Sequence, residues 1–203
     1  MEAALGFRAH TGWAAAVALA GPPASPSVLQ RRRIELQEPG LPVQAYHAAR
    51  PLGAGRGEEL IRWATQGAAR RAEEAVGTAI RELEAKGDRV VGCGVVLGSG
   101  FPVSTRAESL SSHAGRHAAE GELYRQALIH ASEACGLPVT GVAERLLYTR
   151  GAEELKLAVD ELRRRVADMG RELGPPWGQD QKEAALVAWL ALAAAPLGAR
   201  RGE

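Results

Sequence analysis

"ALGFRAHTGWAAAVALAG", residues 4–21, places two apolar runs on either side of a charged, turn-prone centre, Arg8-Ala9-His10-Thr11-Gly12. Two short strands, 3–9 and 12–20, joined by a tight Thr-Gly turn, account for the pattern. A cleaved export signal is the competing reading. It needs a basic start, an apolar stretch and a small-residue cleavage site. Here Glu2 stands at the start, Arg8 follows an apolar run, and the candidate apolar stretch WAAAVALA, 13–20, is short. No other segment reaches the ~18 apolar residues of a membrane span. The expectation is a hairpin that opens a sheet, with no membrane partner and a cytoplasmic location.

Composition narrows the function classes. A length of 203 residues fits one domain with a full core, expected to span 1–203 with a frayed tail at 196–203. Lys and Arg number 25 against 24 Asp and Glu, a formal net charge of +1. Proteins held to nucleic acid by general electrostatics carry a larger imbalance, so any such contact must come from local basic patches. Aromatic residues make up only 4%, leaving few platforms for stacking single-stranded bases. Cys93 and Cys135 lie far apart and form no metal or redox spacing. They read as buried, reduced thiols.

Outward from the hairpin, "SVLQRRRIELQ", 27–37, reads as a third strand near a sheet edge, with Arg31, Arg32 and Arg33 in water. Residues 38–56, rich in Pro and Gly, read as a long loop. From 58 to 86, Ile61, Ala64, Ala68, Ala79 and Leu83 recur at helical spacing before Gly87. "RVVGCGVVLG", 89–98, is a strand buried on both faces. A helix over 112–134 and a short buried strand over 138–143 follow. Residues 152–173 predict one helix through Leu155, Val159, Leu162, Val166, Met169 and Leu173. A last helix, 181–195, is apolar almost all round and therefore buried. The order predicts an α/β fold: a three-strand antiparallel meander plus parallel strands, five in all, flanked by helices.

That order resembles the ribonuclease H-like superfamily, especially its RuvC-type Holliday-junction resolvase branch. "LGFRAHTGWAAAVALA" resembles the opening strand, turn and second strand of those enzymes. "HAAEGELYRQALIHASEACGLPVTGVAE" resembles their helix leading into the fifth strand, and "DQKEAALVAWLALA" their final helix. The resemblance implies a nuclease whose clustered carboxylates hold two Mg²⁺ ions about 4 Å apart. It calls for an acid on the first strand, one on or after the fourth, and one or two on the last helix. Here the first-strand position falls on or near Arg8, and "VVGCGVVLGSG" has no acid. Only Asp180 and Glu183 match the final helix, so the two-metal Mg²⁺ site is doubtful. Both also have a structural explanation: Asp180 as helix cap and Glu183 as its capping-box partner.

The densest group of reactive side chains is "SSHAGRHAAEGELYR", 111–125. On a helix His113, His117, Glu120 and Tyr124 share one face, and Glu122 lies opposite. Histidines four apart with a following carboxylate suit a transition metal, or a base with its orienting acid. The bland alternative is a polar helix face with Glu120 paired to Arg116. His130 falls on the apolar side and reads as packed. His10 and His47 lie in turns near strand ends, and "QAYHAAR" can fold over the same mouth as "RAHTG". "GCGVVLGSG" misses both the phosphate-loop and dinucleotide spacings. Its glycines suit close helix contact, while Gly98-Ser99-Gly100 offers backbone N–H groups to an anion.

The candidate catalytic residues are His113, His117, Glu120, Asp180 and Glu183, with His113, His117 and Glu120 as divalent-metal ligands. The leading expectation is a nuclease-like protein acting on or binding structured nucleic acid, with a degenerate or displaced active site. The alternative is a non-catalytic scaffold for protein interaction or homodimerisation. An actin-like phosphate-binding protein is disfavoured, because the first turn lacks the usual acid and threonine-rich loop. Basic residues around the sheet mouth would favour the first reading, and an exposed apolar helix face the second.

Overall fold

The computed structural model describes residues 1–98 and 113–195. The predicted helix start at Ser112, the turn beyond Gly98 and the tail 196–203 lie outside the described residues.

The opening hairpin forms as its pattern requires. β1 (Glu2–His10) and β2 (Trp13–Ala20) pair antiparallel from Ala3↔Ala20 to His10↔Trp13. The connection is Thr11-Gly12, and Gly12 adopts the left-handed φ of 87° that such a tight turn needs. β3 (Ser27–Glu35) continues the meander against β2, and β4 (Arg89–Leu97) adds in parallel to β1. β5 (Val139–Ala143) adds in parallel to β4, giving the order β3-β2-β1-β4-β5. This is the mixed five-stranded sheet of the ribonuclease H-like fold.

Alternation in the strands sorts two cores. Leu5, Phe7 and Ala9 of β1, with Cys93 and Val95 of β4, meet two long helices. These are α2 (Gly53–Glu84) and α3 (His113–Ala134); a short α1 (Ala45–Ala49) precedes them. The helices present Ala64, Ala68, Ala72 and Val76, and Leu123, Ala127 and Ala131. Val17, Leu19 and Val96 point the other way. They meet α4 (Leu147–Leu155), α5 (Val159–Asp168) and above all α6 (Gln179–Ala194), whose residues from Glu183 to Leu192 are all buried. A Cβ on Gly6 would lie 2.0 Å from the Ala184 carbonyl oxygen, and one on Gly94 2.2 Å from that of Val187. Only glycine lets α6 come this close to β1 and β4, as expected of Gly94.

Some expectations fail. The loop 38–56 contains α1, a 3₁₀ turn at Arg50–Leu52 and the first turn of α2. The helix 152–173 does not exist as one piece. Lys156 takes a left-handed conformation (φ 55°), the Leu157 N–H bonds back to the Ala152 carbonyl, and α5 begins afresh at Val159. Predicted core residue Val159 is therefore exposed. His130, expected to be packed, is exposed, and of the two cysteines expected to be buried only Cys93 is; Cys135, just past the end of its helix, is exposed. Arg31 is not left to water. Its guanidinium donates to the carbonyls of Leu173 (3.3 Å), Gly174 (2.8 Å), Pro175 (2.8 Å) and Pro176. Arg32 pairs with Glu82, and Arg33 with Glu35 while lying over the Trp13 ring.

Among the described residues, no helix is long and apolar enough to cross a membrane.

Candidate functional site

Two clusters form, one on each face of the sheet. The first lies on the α6 face at the end of β1. Arg8 points from β1 toward α6, because Gly6 on the same face already touches that helix. Its Nε lies 2.7 Å from Glu183 Oε2, and its Nη2 lies 2.9 Å from Glu144 Oε1, just beyond β5. The N–H vector at Nε is not aimed at Glu183, so this contact is an ion pair without a well-formed hydrogen bond. The Glu183 side chain is 7% exposed and that of Arg8 14%, so both charges sit largely out of water. Gln179 Nε2 donates to the other Glu183 oxygen at 2.6 Å.

One turn earlier, Asp180 Oδ1 lies 2.8 Å from His10 Nε2, and the His10 ring stacks on Trp13 at 4.4 Å between centroids. Neither acid caps α6 as expected. The cap position is Gly178, whose N–H donates to the Gln181 side chain at 2.9 Å. Glutamine three residues on thus takes the role assigned to Glu183, because Glu183 is turned inward to meet Arg8.

This donor set does not fit two divalent cations. The guanidinium of Arg8 lies between Glu183, one of the two last-helix acids that would have to hold them, and Glu144. A divalent ion ~4 Å from it would be repelled by roughly 8 kcal/mol at an effective dielectric of about 20. Arg145 and Lys182 add further positive charge beside Glu144, Asp180 and Glu183 in sequence. The mouth is charge-balanced, whereas two Mg²⁺ ions require an acidic one.

The second cluster lies on the opposite face, where α1 packs against the start of α3. Glu120, buried, accepts through Oε1 from the backbone N–H groups of Tyr46 (2.8 Å) and His47 (3.2 Å). The same oxygen lies 3.4 Å from His47 Nδ1. Burial raises the carboxyl above the usual range, and the contacts with His47 and Tyr46 oppose that shift. Tyr124, one turn on, donates its hydroxyl to the Val43 carbonyl at 3.0 Å. Burial pushes its phenol up to about 12, with Glu120 adding to the shift. The predicted face of His113, His117, Glu120 and Tyr124 therefore clamps the 43–47 segment. Its acid is buried and does not join the exposed histidines as a third ligand.

His113 and His117 meet instead at 3.0 Å between their Nε2 atoms, and the His47 ring closes over both. Their mutual proximity, above all His117 acting on His113, holds the His113 imidazole below its usual pKa. One ring nitrogen from each of His47, His113 and His117 lies within 4.8 Å of the other two. Among the described residues no ion pair or hydrogen bond joins this cluster to Asp180 or Glu183. The segment of His47 was expected to fold over the same mouth as Arg8 and His10; it packs instead on the helix of Glu120, His113 and His117, on the opposite face of the sheet. The signal was local: a histidine in a short helix-forming stretch between two loops.

No protein-family model matches the chain, and no curated protein matches it. Among solved structures, it is similar to T. thermophilus RuvC in complex with a Holliday junction substrate. That match has 13% identity and a TM-score of 0.51, covering 99% of this chain and 97% of that one. A second Thermus thermophilus RuvC structure gives 14% identity and a TM-score of 0.49, covering 98% and 96%. Strand order, the hairpin opening and the final helix across β1 and β4 are thus those of the RuvC-type ribonuclease H-like fold.

Proposed function

We propose that this chain binds structured nucleic acid and does not cleave it by two-metal catalysis at the β1–α6 mouth. The observation that carries the reading is the Arg8 guanidinium held between Glu183 and Glu144, where a two-metal nuclease needs carboxylates facing cations. The binding half is supported by the fold, since the similar RuvC structure is one in complex with a Holliday junction substrate. It is also supported by two cationic residues next in sequence to the mouth acids: Arg145, exposed, beside Glu144, and Lys182, half-buried, beside Glu183. Phosphate contacts from such residues fix position on a duplex without reading sequence.

The scaffold reading gains no comparable support. Leu52, in the 3₁₀ turn before α2, and Trp63, on α2, are exposed but separated by Arg56 and Glu59, so they form no apolar face. The test is fluorescence anisotropy with a four-way DNA junction and a linear duplex of equal length, at two salt concentrations. Preferential, salt-sensitive junction binding is expected, with no cleavage in Mg²⁺ or Mn²⁺. Equal or absent binding to both DNAs overturns the binding half. Metal-dependent cleavage abolished by Asp180→Ala overturns the other.

A further inference from the structure

We propose that His47, His113 and His117 form a binding site for a divalent transition metal of the Zn²⁺ class, with one coordination position open to solvent. The inference goes beyond the nucleic-acid reading and uses a different face of the sheet. It also changes the ligand set expected from sequence: Glu120 supports a ligand and is not one itself.

Tetrahedral Zn²⁺ with Zn–N bonds of ~2.0–2.1 Å places its nitrogens roughly 3.3–3.4 Å apart. The His113 and His117 Nε2 atoms are 3.0 Å apart, and one nitrogen from each of the three rings lies within 4.8 Å of the others. Small side-chain rotations bring all three to ligating distance. His113 and His117 are one helical turn apart on α3, so a single helix face presents both. α1 brings in the third.

A simple hydrogen bond between imidazoles would explain the contact of His113 with His117. It would not explain His47. The Nδ1 of His47 faces the buried Glu120 carboxyl, which as an anion only accepts. That contact keeps the proton on Nδ1 and leaves the lone pair on Nε2. Nε2 is buried and, among the described residues, has no hydrogen-bond partner. A buried, unpartnered acceptor is destabilising, and a metal ion is one means of satisfying it. Carboxylate to histidine to metal is also the usual way a protein orients an imidazole ligand and raises its basicity. Imidazole donors without thiolate select borderline ions such as Zn²⁺ over Mg²⁺ or Ca²⁺. His113 and His117 are exposed among the described residues, which leave the fourth position to water.

The experiment uses the full chain, stripped with chelator and titrated with Zn²⁺, and with Co²⁺ as a spectroscopic probe. One Zn²⁺ per chain is expected after dialysis, with a higher Tm and the visible absorption of four-coordinate Co²⁺. His47→Ala, His113→Ala and His117→Ala should each abolish stoichiometric binding and the Tm gain. The last two change exposed residues, so their folding without metal should match the parent. Glu120→Gln should keep the stoichiometry and weaken affinity by roughly 10–100-fold. Cys135→Ser, which removes the exposed thiol, should change nothing. Failure of the parent to retain one equivalent overturns the proposal, as does undiminished binding in His113→Ala or His47→Ala. None of these readouts depends on nucleic acid, so failure here leaves the binding reading standing.

Discussion

Arg8 illustrates how a single residue changes what a fold can do. A guanidinium needs acceptors, and Glu183 and Glu144 supply them in a site with little water. Removing one member of such a pair is costlier than never having had it, because the survivor remains buried and charged. Arg8→Met should therefore destabilise the chain by about 3 kcal/mol, the lower end of the buried-pair range because Glu144 is 39% exposed. Arg8→Met/Glu183→Met should regain a large part of that loss, since two apolar groups leave no orphaned charge. Urea denaturation of the singles and the double checks it; a double no more stable than Arg8→Met refutes it. Burial of single groups also sets an alkaline limit. Cys93 is pushed up to about 12 by burial, and so is the Tyr124 phenol. Unfolded, they ionise near pH 9 and 10. In that interval the unfolded chain binds fewer protons than the folded one, so stability is full below pH ~9 and falls progressively toward pH ~12. Tyr124→Phe should flatten the upper part of this fall in a series of melting curves. An unchanged slope would show that Tyr124 ionises freely in the fold.

At the scale of elements, α6 decides the shape of the molecule. It is apolar on all sides because β1, β2 and β4 lie beneath it and α4 and α5 above it. Its closeness to the sheet rests on Gly6 and Gly94. Gly6→Ala and Gly94→Ala should each cost about 1–3 kcal/mol or more, through forced displacement of α6. For a chain of this size each kcal/mol lowers Tm by about 2–4 °C. Gly92→Ala meets its neighbours only at 3.4 Å and beyond, and should be close to neutral. Calorimetry of the three variants gives the ranking, and a costly Gly92→Ala with a harmless Gly6→Ala would contradict this packing. The elements themselves were largely legible in the sequence, since strand alternation and the 3.6-residue spacing of α2 follow directly from which faces are buried. The break at Lys156 was not. Lysine is a good helix former, and no Gly or Pro marks the left-handed turn, which is held by the docking of α4 and α5 separately on α6. The site was half legible. The face His113–His117–Glu120 follows from helical spacing, but its union with His47 joins segments more than sixty residues apart and depends on tertiary packing alone.

Seen whole, the molecule places its two polar clusters on opposite faces of one sheet, so either can change without the other. The β1–α6 mouth keeps acids on the last helix but engages them internally: Asp180 contacts His10, and Glu183 pairs with Arg8. A resident cation of fixed position replaces exchangeable ones. Mg²⁺ keeps much of its water and binds through carboxylates free to face it. Here the Glu183 carboxylate is already engaged by Arg8 and Gln179. Mg²⁺ must therefore displace a buried guanidinium to gain a ligand, against like-charge repulsion of several kcal/mol. Titration calorimetry with Mg²⁺ or Mn²⁺ should give weak or undetectable heat at this mouth, unchanged by Asp180→Ala. Arg8→Asp should strengthen Mn²⁺ binding, because it removes the repelling charge and supplies a carboxylate beside Glu183 and Glu144. The gain should appear even if the variant remains unable to cut DNA, because β4 still contributes no acid. A tight two-site isotherm in the unaltered chain, lost on Asp180→Ala, would mean that Arg8 swings clear of the mouth in solution and that the fold retains a working two-metal centre.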